Sequence, residues 1–150
     1  MEIREVEEQD RECLLDMMEA FYHSEAVEKP IPRSYMEHTF DTAASGSPFI
    51  RLYLMEEDGG IVGYSLVDFT YSNEAGGQVL WIQELYLEEG YRGKGIGGSF
   101  LDRMAELFQE QVVQLRLELR EDNEKARKLY SAKGFGKVLY EQLELSLIHI

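Results

Sequence analysis

The stretch 79–98 decides the fold of this 150-residue chain: Val79-Leu-Trp-Ile-Gln-Glu-Leu-Tyr-Leu87, Glu88-Glu-Gly-Tyr-Arg92 and Gly93-Lys-Gly-Ile-Gly-Gly98. Its first segment is mainly apolar and aromatic, which favours a long β-strand. After the glycine cluster, Ile96, Phe100 and Met104 recur at helical spacing. We therefore expect a strand, a polar connection, a glycine-rich loop and a helix that runs to about residue 111.

The glycine cluster also matches the G-x-G-x-x-G pattern of dinucleotide-binding folds. That pattern lies directly after its strand and in the first of several βαβ units. Here the residues 88–92 separate it from the strand, only one βαβ unit is expected, and the chain is too short for a second nucleotide-binding half. We therefore reject a dinucleotide-binding fold. The phosphate-loop pattern G-x-x-x-x-G-K-[ST] is absent from the sequence.

The segment from Arg92 to Gly97 fits R-x-x-G-x-G ahead of a helix, which is typical of an anion site. Glycines allow backbone N–H groups to point inward without side chains in the way. The first helical turn adds unpaired N–H donors and a partial positive charge. Arg92 and Lys94 add full charges. The sequence therefore predicts that this loop binds a pyrophosphate.

Periodicity and turn signals predict the other elements. Asp58-Gly59-Gly60 indicates a hairpin, and Gly134 is the expected cap of a short helix. The expected order is β-α-α-β-β-β-α-β-α-β-β, an α+β fold with a mixed sheet in one domain, 1–150. The strands outside 79–87 are expected at about 3–6, 50–56, 61–70, 113–119, 137–140 and 143–150, and the helices at about 10–21, 34–44, 95–111 and 124–133.

Charge and composition restrict the partners. The formal net charge is −14 at pH 7, which argues against a nucleic-acid partner. Residues 92–137 carry ten Lys and Arg against seven acids, a net of +3, so the rest of the chain carries −17. A basic segment in an acidic chain suits an anionic cofactor on one side and a cationic acceptor on the other. The acidity could equally serve solubility alone.

Cysteine usage and hydropathy indicate the compartment. Cys13 is the one cysteine of the sequence, so no internal disulfide can form. We expect it on the core face of the first helix. No apolar run approaches the ~20 residues of a membrane span, and no secretory signal is recognisable. The three histidines lack metal-ligand spacing. We expect a cytoplasmic protein with no membrane partner and no metal.

Three segments together resemble the GCN5-related N-acetyltransferase (GNAT) family. They are Leu80-Trp-Ile-Gln-Glu-Leu-Tyr-Leu87, Glu88-Glu-Gly-Tyr-Arg-Gly-Lys-Gly-Ile-Gly97 and Asn123-Glu-Lys-Ala-Arg-Lys-Leu-Tyr-Ser-Ala-Lys-Gly-Phe135. Each is moderately specific alone, but their order and spacing are highly specific. Gly98 departs from the family, which more often has a bulkier residue there, and a helical glycine costs about 1 kcal/mol.

The resemblance implies an acetyl-CoA site. In this family the strand before the loop splays from the next parallel strand, and the pantetheine arm of CoA pairs with its backbone in the gap. By position, Leu85, Tyr86 and Leu87 supply that edge, and Asn123 contacts the arm from the other side. The pyrophosphate loop comprises Arg92, Gly93, Lys94, Gly95, Ile96, Gly97 and Gly98.

The resemblance also implies the catalytic residues. An alkyl ammonium has a pKa of about 10.4, so the acceptor must lose a proton before its nitrogen can attack. Glu84 is the candidate general base that removes the proton, directly or through water. Tyr130 is the candidate general acid for the CoA thiolate, and backbone N–H groups near Leu85 and Tyr86 would polarise the acetyl carbonyl. Glu84 could instead point to solvent, and Tyr130 could only pack. Tyr22 and His23 are candidates for contact with the acceptor.

The implied function is direct acetyl transfer from acetyl-CoA to a primary amine of a small molecule. Two alternatives remain open: an acetyltransferase acting on a protein N-terminus or lysine, and a non-catalytic acyl-CoA-binding module. Glu84 and Tyr130 argue against the second. Homodimers are common in the family, and the sequence does not name the acceptor.

Overall fold

The computed structural model describes residues 1–148 and builds one mixed sheet with helices on both faces. The elements follow the expected order as far as the fourth helix. They are β1 (Glu2–Glu5), α1 (Arg11–Tyr22), α2 (Arg33–Ala44), β2 (Ile50–Glu57), β3 (Gly60–Ser72), β4 (Gly77–Leu87), α3 (Ile96–Leu107), β5 (Val112–Leu117) and α4 (Glu124–Ala132). Single 3-10 turns precede α1 and follow β4. Among residues 1–148, every helix is too short or too polar to span a lipid bilayer.

The strands lie in the order β1-β2-β3-β4-β5, so neighbours in sequence are neighbours in space. The first four pair antiparallel, and β5 pairs parallel with β4 after the α3 crossover. The β2–β3 hairpin turns at Asp58 (φ 52°) and Gly59 (φ 78°), a pair of left-handed residues typical of a tight hairpin. The predicted α+β class is therefore confirmed.

Each face of the sheet carries its own hydrophobic core. On what we call the α1–α2 face, the core comprises Leu14, Leu15, Met17, Met18, Phe21, Met36, Phe40, Leu52, Leu54, Tyr64 and Tyr86. On the α3 face it comprises Tyr53, Met55, Val62, Val67, Leu80, Ile82, Ile96, Phe100, Leu101, Met104 and Phe108. Apolar residues at helical spacing in α1 and α3 supply the helical side of each core.

A β-bulge in β4 changes which face its side chains reach. Leu66 of β3 pairs with Glu84, but the next residue, Val67, pairs with Ile82, so Gln83 is the extra residue. Before the bulge, Ile82 faces α3. Strict alternation would put Glu84 on that same face. The bulge instead turns Glu84 toward α1 and α2.

β4 and β5 separate partway along their length. They pair only from Gln78 to Ile82 on β4 and from Val112 to Leu117 on β5. The part of β4 after the bulge, 83–87, continues alongside β3 alone. Its other edge therefore faces a gap between the two parallel strands, which is the splay that the family resemblance implies.

Two details of the sequence prediction are wrong. The described part of the closing strands, residues 137–140 and 143–148, forms no strand, and Leu139 and Leu143 are each 92% exposed. Residues 149 and 150 lie outside the described residues. Alternating apolar residues favour a strand only when a neighbouring edge pairs with them. Cys13 is exposed rather than on the core face of α1.

Candidate functional site

Glu84 lies at the centre of a hydrogen-bonded cluster on the α1–α2 face. Its carboxylate accepts one hydrogen bond from the Tyr22 hydroxyl, at the end of α1, and another from the Tyr64 hydroxyl of β3 at 2.7 Å. The Ser65 hydroxyl donates to the Glu84 backbone carbonyl at 2.7 Å. The side chain is buried, with 8% of the residue exposed. The structure therefore places Glu84 against α1 and excludes a carboxylate that points into bulk water.

Burial dominates the titration of this cluster. Desolvation raises the pKa of Glu84, and the hydrogen bonds from Tyr22 and Tyr64 oppose that rise by stabilising the carboxylate. Burial also raises the pKa of Tyr22, and the nearby Glu84 charge adds to the shift. A carboxyl with a raised pKa is a better proton acceptor from an amine than an exposed one, while both phenols remain protonated donors.

The loop between β4 and α3 has the backbone of an anion site. Gly93 (φ 74°) and Gly95 (φ 83°) are both left-handed, a conformation that favours glycine. Both residues are exposed, and no atom lies near the side of their Cα atoms where a side chain would be. Gly95 caps α3, and the Ser99 N–H makes a helical bond back to its carbonyl at 3.0 Å. The N–H groups of the first turn, 96–98, precede that bond and point toward the loop.

The two cations of this loop lie over aromatic rings. Arg92 donates from Nε to the Leu87 carbonyl at 2.8 Å, and its guanidinium lies 5.5 Å from the Tyr86 ring centre. The Lys94 ammonium lies 5.4 Å from the Tyr91 ring centre. These contacts keep positive charge at the end of β4, beside the exposed residues Gly93 and Gly95.

Gly97 and Gly98 allow α4 to approach α3. A side chain at Gly97 would lie 3.3 Å from Leu129, and one at Gly98 would lie 2.8 Å from the aliphatic part of Lys133. Lys133 in turn binds Asp102 at 2.7 Å. A bulkier residue at position 98 would displace only the end of the flexible Lys133 side chain.

α4 brings Asn123 and Tyr130 to the α3 side of the splay. The Asn123 side chain accepts from the Ala126 N–H at 3.3 Å and so caps α4. Tyr130 packs against the α3-face core, 5.8 Å from the Phe135 ring, and burial raises its pKa. Glu84 and Tyr130 therefore lie on opposite faces of the sheet.

The structure joins only one of the two acceptor candidates to Glu84. Tyr22 binds the carboxylate directly. His23 ends α1 as an exposed residue whose backbone N–H bonds to the carbonyls of α1. The α1–α2 connection is held from another side, because Arg120 donates to the Val27 carbonyl at 3.0 Å.

Sequence reasoning missed Tyr64 and Asp68. Both lie on β3, and no local motif marks them, since their relation to β4 depends on strand register. The Gln83 side-chain amide donates to Asp68 Oδ2 at 2.8 Å. Asp68 Oδ1 is buried and has no hydrogen-bond partner within residues 1–148, and burial raises the pKa of this carboxyl. The one signal for Asp68 in the sequence is an acidic residue within the mainly apolar strand β3.

Charged clusters outside this site include no metal centre. Within the described part of the chain, no group of three or more His, Cys, Asp or Glu residues could hold a metal ion. The acidic residues near α1 are instead engaged by arginines, for example Asp10 by Arg4 at 2.8 Å and Glu19 by Arg33 at 2.9 Å.

The fold matches solved structures over its whole length. A possible acetyltransferase from Clostridium difficile 630 superposes with a TM-score of 0.85, covering 99% of this chain and 98% of that chain at 21% identity. A predicted acetyltransferase from Clostridium acetobutylicum, solved with acetyl-CoA, gives a TM-score of 0.76 at 22% identity, covering 97% of this chain and 96% of that one. At these identities the likeness shows the fold.

Sequence comparison identifies the family. Thialysine N-epsilon-acetyltransferase from Bos taurus is 36% identical over 75 residues, which cover 49% of this chain. The match spans 44% of that relative, so the chain covers less than half of the curated relative's length. The model of the acetyltransferase (GNAT) family matches residues 12–143. That match takes in most of the sequence, including the helices and the strands that form the site. The chain therefore belongs to the GNAT acetyltransferase family.

Proposed function

We propose that this protein transfers an acetyl group from acetyl-CoA to a primary amine of a small molecule, with Glu84 as general base and Tyr130 as general acid. The observation that carries the proposal is the position of Glu84. It is a buried carboxyl with a raised pKa, held on β4 beside the edge that β5 leaves unpaired. Family membership supports acetyl transfer, and the geometry supports the roles.

Acetyl-CoA fits the gap and the loop. The exposed amides at Gly93 and Gly95 would bind the pyrophosphate, assisted by the first turn of α3. The backbone of Leu85, Tyr86 and Leu87 would pair with the pantetheine arm, since β5 does not reach that part of β4. The thioester would then lie between Glu84 and Tyr130, on a line through the splay.

The chemical step needs one proton removed and one supplied. The amine lone pair attacks the acetyl carbonyl carbon while a proton leaves the amine for Glu84. The C–S bond then breaks, its electron pair goes to sulfur, and the Tyr130 hydroxyl supplies the proton that the thiolate takes. Backbone N–H groups of the free β4 edge would stabilise the oxyanion. No acyl-enzyme is required.

The loop conformation gives a first test of acetyl-CoA binding. Replacing Gly95 by Ala forces a side chain into a left-handed conformation, which costs about 1–2 kcal/mol, so we expect CoA to bind about 5- to 30-fold more weakly by calorimetry. Gly90→Ala is the matched control, because Gly90 is exposed, has space for a Cβ and lacks a left-handed φ. Equal affinities for the two variants would show that the loop backbone does not hold the cofactor.

Two features favour a cationic acceptor. Asp68 leaves a buried carboxylate oxygen unpaired on the same face as Glu84, one row further along β3. A cavity of about 440 Å³ between the α1–α2 connection and the start of α4 is lined by Glu28, Arg120, Glu121 and Asp122, three acids to one base. Positively charged groups on the acceptor would compensate these carboxylates. The name of the bovine relative, thialysine N-epsilon-acetyltransferase, is compatible with such an acceptor.

Removing the Asp68 charge tests this acceptor class. If Asp68 holds a second cationic group, Asp68→Asn should raise the KM for diaminobutane about 10-fold or more and leave that for butylamine nearly unchanged. Glu110→Gln removes the same charge from an exposed site and serves as control. A KM for diaminobutane that is the same in D68N and E110Q would exclude Asp68 from acceptor binding.

The proposed function itself is tested with a panel of amines and acetyl-CoA, following release of free thiol. The panel contains monoamines, diamines, thialysine and short peptides with free N-termini. Turnover of small amines supports the proposal. Turnover of peptides alone would establish the protein-acceptor alternative, and CoA binding without turnover of any amine would indicate a non-catalytic binding module.

A further inference from the structure

Glu84 meets two phenol hydroxyls that differ in their exposure. One carboxylate oxygen accepts from Tyr22 and the other from Tyr64. Tyr64 is fully buried within the α1–α2 core, so its hydroxyl has no contact with solvent. Tyr22 is only half-buried and lies at the end of α1. Of the two phenols that bind Glu84, Tyr22 is therefore the one that lies nearer to the surface.

The Tyr22 hydroxyl is suited to pass a proton on. A phenol oxygen donates one hydrogen bond and can accept others. The Tyr22 O–H donates to Glu84, so the lone pairs of the Tyr22 oxygen remain free to accept a hydrogen bond from a group on the outer side. Phe21, which packs edge-on against the Tyr22 ring at 5.2 Å, helps to fix the ring. The hydroxyl can thus donate inward and accept from outside in one geometry.

We propose that Tyr22 is a catalytic residue, a proton relay that carries the amine proton to Glu84. As the N–C bond to the acetyl group forms, the amine N–H proton moves to the Tyr22 oxygen. The Tyr22 proton moves at the same time to Glu84 Oε2, so the phenol is regenerated and Glu84 ends as a carboxylic acid. The electron pair of the breaking C–S bond leaves on sulfur. This inference rests on the proposed function and assigns the base a route that the family resemblance does not specify.

Tyr64 provides the matched comparison for a merely positioning role. It donates the same kind of bond to the other oxygen of the same carboxylate, but from the core. Tyr22→Phe and Tyr64→Phe each remove one hydrogen bond that lowers the pKa of Glu84. Both variants should therefore move the acid limb of the pH–rate profile to higher pH. Only Tyr22→Phe breaks the relay.

The experiment measures kcat on the pH plateau, the pH profile and the Kd for acetyl-CoA. We expect Y22F to lose about 100-fold or more of the plateau kcat, well beyond the loss in Y64F, with Kd unchanged in both. Tyr22→His can donate and accept a hydrogen bond, so it should recover part of the loss in kcat. If Y64F does not fold, the kcat of Y22F is compared with that of Y22H instead.

The outcomes separate the relay from the function on which it rests. Plateau rates of Y22F and Y64F within about threefold of each other, or no recovery in Y22H, would overturn the relay while leaving the acetyltransferase intact. An unaltered protein that releases no thiol with any amine would overturn the proposed function, and the relay with it.

Discussion

Replacing Glu84 by Gln is expected to lower kcat about 10²- to 10⁴-fold, the range that general-base catalysis contributes. The amide is close in shape to the carboxyl, its oxygen can accept from one of the two tyrosine hydroxyls, and its NH2 group can donate to the oxygen of the other. The fold and the CoA affinity should therefore survive. Thiol release measures the rate, and calorimetry with CoA measures the binding.

The direction of the Glu84 pKa shift determines how the rate should depend on pH. Because burial raises the pKa of Glu84, the protein holds the inactive protonated form to a higher pH than an exposed Glu would. kcat/KM should rise with pH through that raised pKa and then level off. The rise should be absent from the residual activity of E84Q. Activity in E84Q equal to that of the unaltered protein, with the same acid limb, would remove Glu84 from the mechanism.

The same shift has a consequence for stability. A carboxyl whose pKa is higher in the folded state than in the unfolded state binds its proton more tightly when folded. Its contribution is fully present below the unfolded pKa and is lost as pH rises through the folded value. Glu84 therefore trades stability near neutral pH for function, a cost that strained or desolvated active sites commonly carry.

Gly63→Ala is expected to destabilise the protein by about 3 kcal/mol. A Cβ at Gly63 would lie 2.4 Å from the Tyr86 backbone carbonyl and 2.7 Å from the Leu87 side chain. β3 cannot move away easily, because it pairs on both sides, so β4, whose outer edge is free at this point, must shift. The substitution therefore strains the part of β4 that carries the free edge.

Thermal melting and acetyl-CoA titration measure this effect. We expect the Tm of G63A to fall and its affinity for acetyl-CoA to weaken together. Gly60→Ala, at the start of the same strand, is the control, since no atom lies within 4 Å of its Cβ position. If G63A melted at the temperature of G60A, the close approach of β3 to β4 at this point would not be a constraint.

Much of the fold follows from local sequence signals. The apolar and aromatic residues of β4, the Asp58-Gly59 turn and the helical periodicity of α3 each predict the element that forms there. The backbone of the glycine loop was predictable for the same reason, because Gly93 and Gly95 adopt conformations that other residues resist. Such signals are local, and they were sufficient to predict the class of fold and the conformation of this loop.

The closing strands and the acceptor side were not predictable in this way. Leu143 and Leu145 alternate as in a strand, yet both are exposed. A strand requires a partner edge, which no property of its own residues supplies. Tyr64 and Asp68 reach the site only through the register of β3 on β4, which is a relation between distant segments.

Local patterns in the sequence predict the order of elements through the fourth helix, the glycine loop and Glu84 as the acid of β4. The direction in which that carboxylate points depends on contacts between distant segments. The bulge at Gln83 turns Glu84 away from α3 and into the hydroxyls of Tyr22 and Tyr64. The reason is physical: composition sets what a segment can form, whereas register and burial set the neighbours that determine a carboxyl's pKa and its path to a substrate.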